Sequence, residues 1–251
     1  EAARGVKELV VVAQDIAAYR WGDTGLRGLA EGMARIEGVE WIRLMYCHPD
    51  HLDDGIISIF EDVEKVVPYI DIPFQHVSGP ILRSMGRRGD AKTYRTLVAK
   101  LRGRVPDIRV RSTFMVGYPG ESDDDFEELL SFLREAKLDR VGAFMYSPEE
   151  GTRAWELNDP VPAAVKKERY NRLMALQQEV SARKLAAMEG NVVPVIVEER
   201  IDEATWAGRS IYDAPEVDGI FYLTAGDVPV NSIVNARVTG ATEYDLIGEI
   251  A

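Results

Sequence analysis

Small groups of polar residues follow the apolar runs in the first half of the chain. In order, these groups are Gln14 and Asp15, His48, Gln75 to Ser78, Tyr118 to Glu121, and Tyr146 to Glu150. The amide oxygen of Gln14 and the carboxylate of Asp15 are suitable hydrogen-bond acceptors for an ammonium group. The structural alternative is that these two residues form a polar strand end that caps a helix. If the apolar runs are parallel strands, all five groups face one ligand-binding mouth.

One short segment combines Cys47 with His48 and His51, and these side chains could supply three zinc ligands. A structural zinc site needs four ligands, and no fourth one lies nearby in the sequence. We therefore predict no metal site in this chain. His76 is predicted to be a histidine that forms hydrogen bonds within a loop.

The central motif is a strand followed by a turn and an acidic helix. Apolar residues run from Val110 to Val116, glycines at 117 and 120 bracket Pro119, and acidic residues begin at Glu121. Glycine permits backbone angles that other residues avoid, and acidic side chains suit the positive end of a helix. Such turns at the carboxyl ends of parallel strands hold ligands in α/β enzymes. An ordinary connecting loop is the alternative.

The elements around these residues alternate between strand and helix up to about residue 150. The predicted strands are 9–13, 41–46, 69–73, 110–116 and 140–146, and the predicted helices are 26–36, 56–66, 81–85, 91–104 and 123–137. This alternation predicts a parallel sheet with right-handed crossovers. Five strands are too few for an eight-stranded barrel, but one more strand upstream would give a six-stranded open barrel. A chain that starts at Glu1 and soon enters a strand is expected to belong to a longer protein.

The second half of the chain has a different pattern. Prolines at 160 and 162 precede a predicted helix at 163–188, and short strands with a period of two follow from Val192. The fold class is therefore α/β, with an incomplete parallel (β/α) barrel followed by a small antiparallel β-barrel. The predicted boundaries are 1–160 for the first domain, 161–189 for a linker helix and 190–251 for the second barrel.

Charge and composition limit the possible functions. The 251 residues carry a net charge of −12, and the segment from Gly190 onward has eleven acidic residues and three arginines, a net charge of −8. This sign opposes the binding of nucleic-acid phosphates and favours a basic partner. No apolar run is long enough to span a membrane and no secretory signal opens the chain, so a cytoplasmic protein is expected.

Several motifs together resemble the radical S-adenosylmethionine (SAM) methylthiotransferases. They are the strand that ends in Val-Ala-Gln-Asp at 12–15, Asp71–His76, Ile81–Gly89, Phe114–Glu121 and Tyr146–Thr152. The terminal barrel resembles the TRAM domain of this family. Within it, residues 208–219 and 243–248 are similar to the RimO branch, which methylthiolates an aspartate of small-subunit ribosomal protein twelve.

The resemblance implies SAM and two [4Fe–4S] clusters as cofactors of the complete enzyme. It places the SAM site at Gln14, Asp15, Gln75, Ser78, Arg87, Val116, Gly117 and Tyr146. In such enzymes SAM is cleaved to a radical that removes a hydrogen atom from the aspartate β-carbon before sulfur is inserted. For each of these residues a structural role in a turn, a loop or the core is the alternative.

The chain departs from the family at the cluster ligands. The family binds its catalytic cluster through a Cys-x-x-x-Cys-x-x-Cys loop and a second cluster through three further cysteines. Here Cys47 is the single cysteine, and its position matches none of those ligands. Since a [4Fe–4S] cluster needs several thiolates, we predict that this chain alone ligates no cluster and has no catalytic activity.

The resemblance leaves three functions open. The first is the modification of ribosomal protein twelve, which we expect to bind through the acidic barrel at Asp213, Glu216 and Asp218. The second is a tRNA methylthiotransferase of the same fold, which the acidic barrel opposes because the tRNA-modifying branch has a more basic TRAM stretch. The third is a docking module that binds a basic ribosomal protein without catalysis.

Overall fold

The computed structural model describes residues 1–157 and 161–251. Its first half is a five-stranded parallel sheet with the strand order β1-β4-β5-β6-β7. The sheet strands are β1 (Glu8–Val11), β4 (Trp41–Leu44), β5 (Val66–Asp71), β6 (Arg109–Val116) and β7 (Arg140–Met145). Two short strands of two residues each, β2 (Arg20–Trp21) and β3 (Thr24–Gly25), form a separate hairpin after β1. The predicted parallel α/β sheet is confirmed.

Helices cover one face of this sheet. They are α1 (Leu26–Ala34), α2 (Asp54–Asp62), α3 (Gly79–Ser84), α4 (Ala91–Arg104) and α5 (Asp123–Ala136). Side-chain caps fix their starts: Asp53 accepts a hydrogen bond from the Ile56 amide, and Ser122 forms a reciprocal capping box with Asp125. Alternate residues of β6, such as Val110 and Phe114, point into the core beneath the helices. The intervening residues therefore lie on the face of the sheet opposite the helices.

The largest boundary difference lies between α2 and β5. The sequence predicts a helix to Val66 and a strand from Tyr69, whereas α2 ends at Asp62 and β5 begins at Val66. Val66 and Val67 are buried in the sheet, and Pro68 is accommodated within the strand. The local apolar pattern of residues 56–67 suits a helix and a buried strand equally, so tertiary packing decides the boundary.

Helix α6 (Ala163–Ala186) is more than a linker. It packs along β7 and α5, and it buries Leu173 in the core of the first domain. Its buried face also carries polar residues, among them Lys166, Arg169 and Gln177. The predicted proline-marked segment includes Asp159 and Pro160, which lie outside the described residues.

The C-terminal segment is a closed five-stranded barrel. Its strands are β8 (Val192–Arg200), β9 (Thr205–Ser210), β10 (Phe221–Thr224), β11 (Ile233–Ala241) and β12 (Leu246–Ile250), arranged in the order β10-β12-β11-β8-β9. The predicted small barrel is confirmed, but it is not wholly antiparallel. Strands β10 and β12 pair in parallel, with Phe221 beside Leu246. Because β12 lies between β10 and β11 in the barrel, the loop that joins β10 to β11 crosses the end of the barrel.

The barrel docks on the face of the sheet opposite the helices. Trp41, Met45 and Tyr69 of the sheet pack against Ile196 and Ala214 of the barrel segment. A buried polar network surrounds this contact: Arg209 pairs with Glu8, which also pairs with Arg43, and Arg140 pairs with Asp213. The two domains therefore share one interface that is both apolar and ionic.

None of the helices that the structure describes is long and apolar enough to cross a membrane.

Candidate functional site

The carboxyl ends of the five parallel strands bring the polar groups to one edge of the sheet. Asp15 follows β1, His48 follows β4, Gln75 follows β5, Gly117 follows β6 and Tyr146 follows β7. Backbone hydrogen bonds hold these ends together, for example from Ile16 N to Tyr46 O and from Tyr146 N to Val116 O. The predicted residues therefore lie around one mouth, although only some of their side chains are free to bind a ligand.

At the end of β1 the two predicted acceptors differ. Gln14 is exposed, whereas the Asp15 carboxylate accepts hydrogen bonds from the Ala17 and His48 amides, at 3.1 Å each, and contacts His51 Nδ1. Burial raises the pKa of Asp15, but the bonds from His51 and the His48 amide outweigh it and hold the pKa below its usual value. Asp15 thus ties β1 to the segment after β4, as the helix-capping alternative describes.

After β5, Gln75 and Ser78 behave differently. Gln75 adopts a φ of +68° and its backbone bridges to β6, while its Oε1 atom is buried without a hydrogen-bond partner in the described part of the chain. The Ser78 hydroxyl donates to Asp125, and the Ser78 amide donates to His76 Nδ1 at 3.0 Å. Gln75 therefore offers an acceptor to a ligand, whereas the Ser78 hydroxyl proton is used within the protein.

Arg87 lies beside the same mouth. Its Nη2 donates to the carbonyl oxygen of Pro73, and its buried Nε has no hydrogen-bond partner among the described residues. Burial lowers the pKa of Arg87, opposed by nearby groups that include Asp50 and Asp15. An arginine always remains charged, so this side chain supplies a fixed cation for a carboxylate.

The glycine turn after β6 is organised by one buried carboxylate. Glu121 Oε2 accepts hydrogen bonds from the amides of Gly117, at 2.5 Å, and Tyr118, at 3.2 Å, and Oε1 accepts one from Arg169 of α6. Burial raises the pKa of Glu121, and Arg169 opposes that effect. His76 Nε2 lies 3.8 Å from the same carboxylate. The sequence analysis predicted neither the pairing of Arg169 with Glu121 nor the contact of His76 with Glu121. The periodicity of a sequence locates buried apolar residues, and it does not identify buried polar partners.

Val116, Gly117 and Tyr146 form the wall of the mouth near β7. The Val116 side chain packs in the core under the helices, and the Gly117 backbone is covered by Lys166. Tyr146 packs edge-on against Tyr118 with ring centroids 5.4 Å apart, and Ile81 completes this cluster. Val116 can therefore contact a ligand only through its backbone, while the tyrosine cluster provides an apolar surface.

These donors and acceptors fit the polar ends of SAM. The unpaired acceptor on Gln75 suits an ammonium or hydroxyl group, and Arg87 suits a carboxylate. They do not fit an iron–sulfur cluster. Cys47 is the single cysteine, it is fully buried, and burial strongly raises its thiol pKa, which opposes the thiolate that iron requires. Residues 1–157 and 161–251 contain no group of three side chains suited to a metal ion.

Comparison with known proteins agrees with this geometry. Residues 2–133 match the model of the radical SAM superfamily and residues 190–251 match that of the TRAM domain, so the chain belongs to the radical SAM superfamily. Coproporphyrinogen III oxidase (HemN) from Escherichia coli, a radical SAM enzyme, has a similar fold. The TM-score is 0.51 at 14% identity, over 61% of this chain and 36% of HemN.

Within the superfamily the chain is similar to RimO proteins. It is 44% identical to ribosomal protein uS12 methylthiotransferase RimO of Geotalea uraniireducens over 99% of its length and 56% of that relative. It is 45% identical to the RimO of Syntrophotalea carbinolica over the same shares. The chain therefore spans about half the length of the curated relatives it matches.

Two of the three residues predicted to bind a partner occupy the interface between the domains. Asp213 is buried and pairs with Arg140 at 2.5 Å, and Asp218 accepts a hydrogen bond from Tyr69 Oη at 2.5 Å. Burial raises the pKa of Asp218. Glu216 is exposed. The structure thus differs from the expected surface, because two of the carboxylates hold the barrel against the sheet.

Proposed function

We propose that this chain is the SAM-binding and substrate-docking part of a methylthiotransferase that modifies an aspartate of ribosomal protein uS12 in the cytoplasm. The observation that carries the proposal is the 40–45% identity to RimO proteins along nearly the whole chain. The acidic barrel supports a basic protein as substrate, since a net charge of −8 repels tRNA phosphates.

The residues of this chain would bind and orient the reactants. Gln75 accepts a hydrogen bond from a polar group of SAM, Arg87 holds its carboxylate, and the Tyr118–Tyr146 cluster excludes water beside the adenine. Asp15 and Gln14 at the end of β1 would face the ammonium group, with Asp15 held in place by His48 and His51. SAM, when bound and given one electron by a donor other than this chain, would supply the radical chemistry that the side chains themselves cannot perform.

The proposal is tested with a chimera in which this chain replaces the matching part of the Geotalea uraniireducens relative. Incubation with uS12, SAM, sulfide and a reductant should replace one hydrogen atom of a uS12 aspartate by a methylthio group, which mass spectrometry detects. The matched Gln75→Ala chimera should lose most of that product. A methylthio group found on tRNA, with uS12 unchanged, would replace this proposal by the tRNA function.

The chain by itself should not hold a stoichiometric cluster, because one buried cysteine cannot supply the thiolates. Anaerobic reconstitution with iron and sulfide, followed by iron analysis, checks this prediction. The broad visible absorption of thiolate-bound iron at one cluster per chain would contradict it.

A further inference from the structure

The barrel carries an exposed surface beside its contact with the sheet, where Arg140 of β7 donates to the Tyr244 carbonyl oxygen at 3.0 Å, and the SAM site does not use this surface. It lies on the parallel pair β10 and β12. Because Phe221, Leu223, Leu246 and Gly248 point into the barrel, the alternate residues point outward. We call the outward set the β10–β12 face, which consists of Ile220, Tyr222, Tyr244 and Ile247 with the acidic residues Glu243 and Glu249.

These residues are neighbours in space. The register places Tyr222 beside Ile247 and Thr224 beside Glu249. The Leu246 amide donates to the Ile220 carbonyl oxygen, and the Ile220 amide donates to the Asp245 carboxylate. The loop that contains Tyr244 therefore adjoins the start of β10. Thr242 Oγ1 accepts bonds from the amides of Tyr244 and Asp245, which fixes that loop. The face is therefore held in place by hydrogen bonds before any partner arrives.

The face is apolar at its centre and acidic at its margin. Ile220, Tyr244 and Ile247 are each between 40% and 43% exposed, which is a high exposure for three adjacent large side chains. Glu243 and Glu249 are exposed beside them. Protein interfaces have this anatomy, with an aromatic and aliphatic centre surrounded by polar residues. The charge of the margin selects a basic partner.

Another side of the barrel, on β8 and β9, is occupied by the sheet. OB-type barrels bind oligonucleotides on their second and third strands, which here are β9 and β10. Arg209 of β9 donates instead to Glu8 of the sheet, and Ile196 of β8 packs on Trp41 and Tyr69. Of these two strands, β9 is therefore partly used by the contact between domains, whereas the outward side of β10 belongs to the β10–β12 face.

We propose that the β10–β12 face is the docking surface for a basic segment of the protein substrate. This inference rests on the proposed function, and it assigns to that function a place on the molecule. The apolar centre would bury the aliphatic parts of the lysine and arginine side chains, and Glu243 and Glu249 would face their charged ends.

The test is equilibrium binding of the 251-residue chain to purified uS12 at several salt concentrations. Ile247→Ser and Glu249→Lys should each weaken binding, the former by about tenfold or more. Glu249→Lys should also flatten the salt dependence. The matched control is Glu203→Lys, which makes the same charge change in the exposed turn between β8 and β9. The control should change affinity by less than about threefold.

Each outcome decides between specific alternatives. Equal losses for Glu249→Lys and Glu203→Lys would show that only the overall charge matters and would overturn the face. Wild-type affinity in both variants of the β10–β12 face would also overturn the docking proposal. If the chimera still modifies uS12 in that case, the proposed function stands without this docking surface. Tight binding of tRNA in place of uS12 would show that the face does not dock a basic protein segment, and it would also overturn uS12 as the proposed substrate. Unchanged thermal unfolding midpoints establish that the variants are folded.

Discussion

At the scale of single residues, burial determines which polar groups can act on a ligand. His76 and Glu121 are buried against the glycine turn, where they stabilise the protein's own backbone. Gln75, one residue before His76, keeps an unpaired acceptor. Within one motif, therefore, His76 supports the structure of the site, whereas its neighbour Gln75 can contact the ligand.

His76 should make the stability of the protein depend on pH. Burial lowers its pKa to about 4, aided by Arg169 and opposed by Asp125. Between about pH 6.5 and 4 the unfolded chain binds a proton that the folded chain excludes, so stability should fall as the pH falls. By about pH 4 the loss from this group is on the order of 3 kcal/mol.

Urea unfolding between about pH 7 and pH 4 measures this effect. His76→Gln should flatten the slope over that interval relative to the unsubstituted chain. An unchanged slope in the His76 variant would assign the pH dependence to other groups.

At the scale of elements, helix α6 supports the turn that follows β6. Lys166 lies against Gly117 and Arg169 pairs with Glu121, so one helix contacts both ends of the turn. The geometry of the turn therefore depends on a helix that the sequence alone marks as a linker.

Gly117→Ala and Gly120→Ala should differ in their effect on stability. Both glycines have positive φ, +73° and +84°, so each substitution strains the backbone by about 1–2 kcal/mol. A Cβ at Gly117 would also lie 2.3 Å from Lys166 Cγ, whereas a Cβ at Gly120 would meet nothing within 4 Å. We expect Gly117→Ala to cost a further 1–3 kcal/mol or so. Equal unfolding free energies for the two variants would show that the Lys166 side chain of α6 moves aside at little energetic cost.

At the scale of the whole molecule, buried ion pairs join the two domains. Arg209 contacts Glu8 of β1 at 2.6 Å, Glu198 of β8 at 2.7 Å and the Asp213 carbonyl oxygen at 2.9 Å. Loss of one partner from such a buried network leaves unpaired charges in the interface. The barrel and the sheet should therefore unfold together.

Arg209→Ala should lower the free energy of unfolding by about 3–5 kcal/mol and separate the single thermal transition into two. Arg183→Ala is the matched control, because this arginine is 82% exposed in its pair with Glu179. The control should change stability by less than about 0.5 kcal/mol. A single, unshifted transition for Arg209→Ala in calorimetry would mean that the apolar contact alone joins the domains.

Local patterns in the sequence determined most of the elements and the place of the site. The alternation of short apolar runs with amphipathic segments gave the parallel sheet, because strand and helix periods are short-range properties. Parallel strands place their carboxyl ends at one edge, so the polar groups that follow β1, β4, β5, β6 and β7 had to meet there. The superfamily motifs lie in these same segments.

Tertiary structure alone decided the use of each acidic residue in the barrel. Asp213 pairs with Arg140, 73 positions away, and Asp218 bonds to Tyr69, 149 positions away. Composition gives the net charge of the barrel but not which carboxylates are exposed. The burial of a carboxylate depends on a cation or hydrogen-bond donor that is distant in the sequence. For the same reason the β10–β12 face became visible only when the register placed Tyr222 beside Ile247.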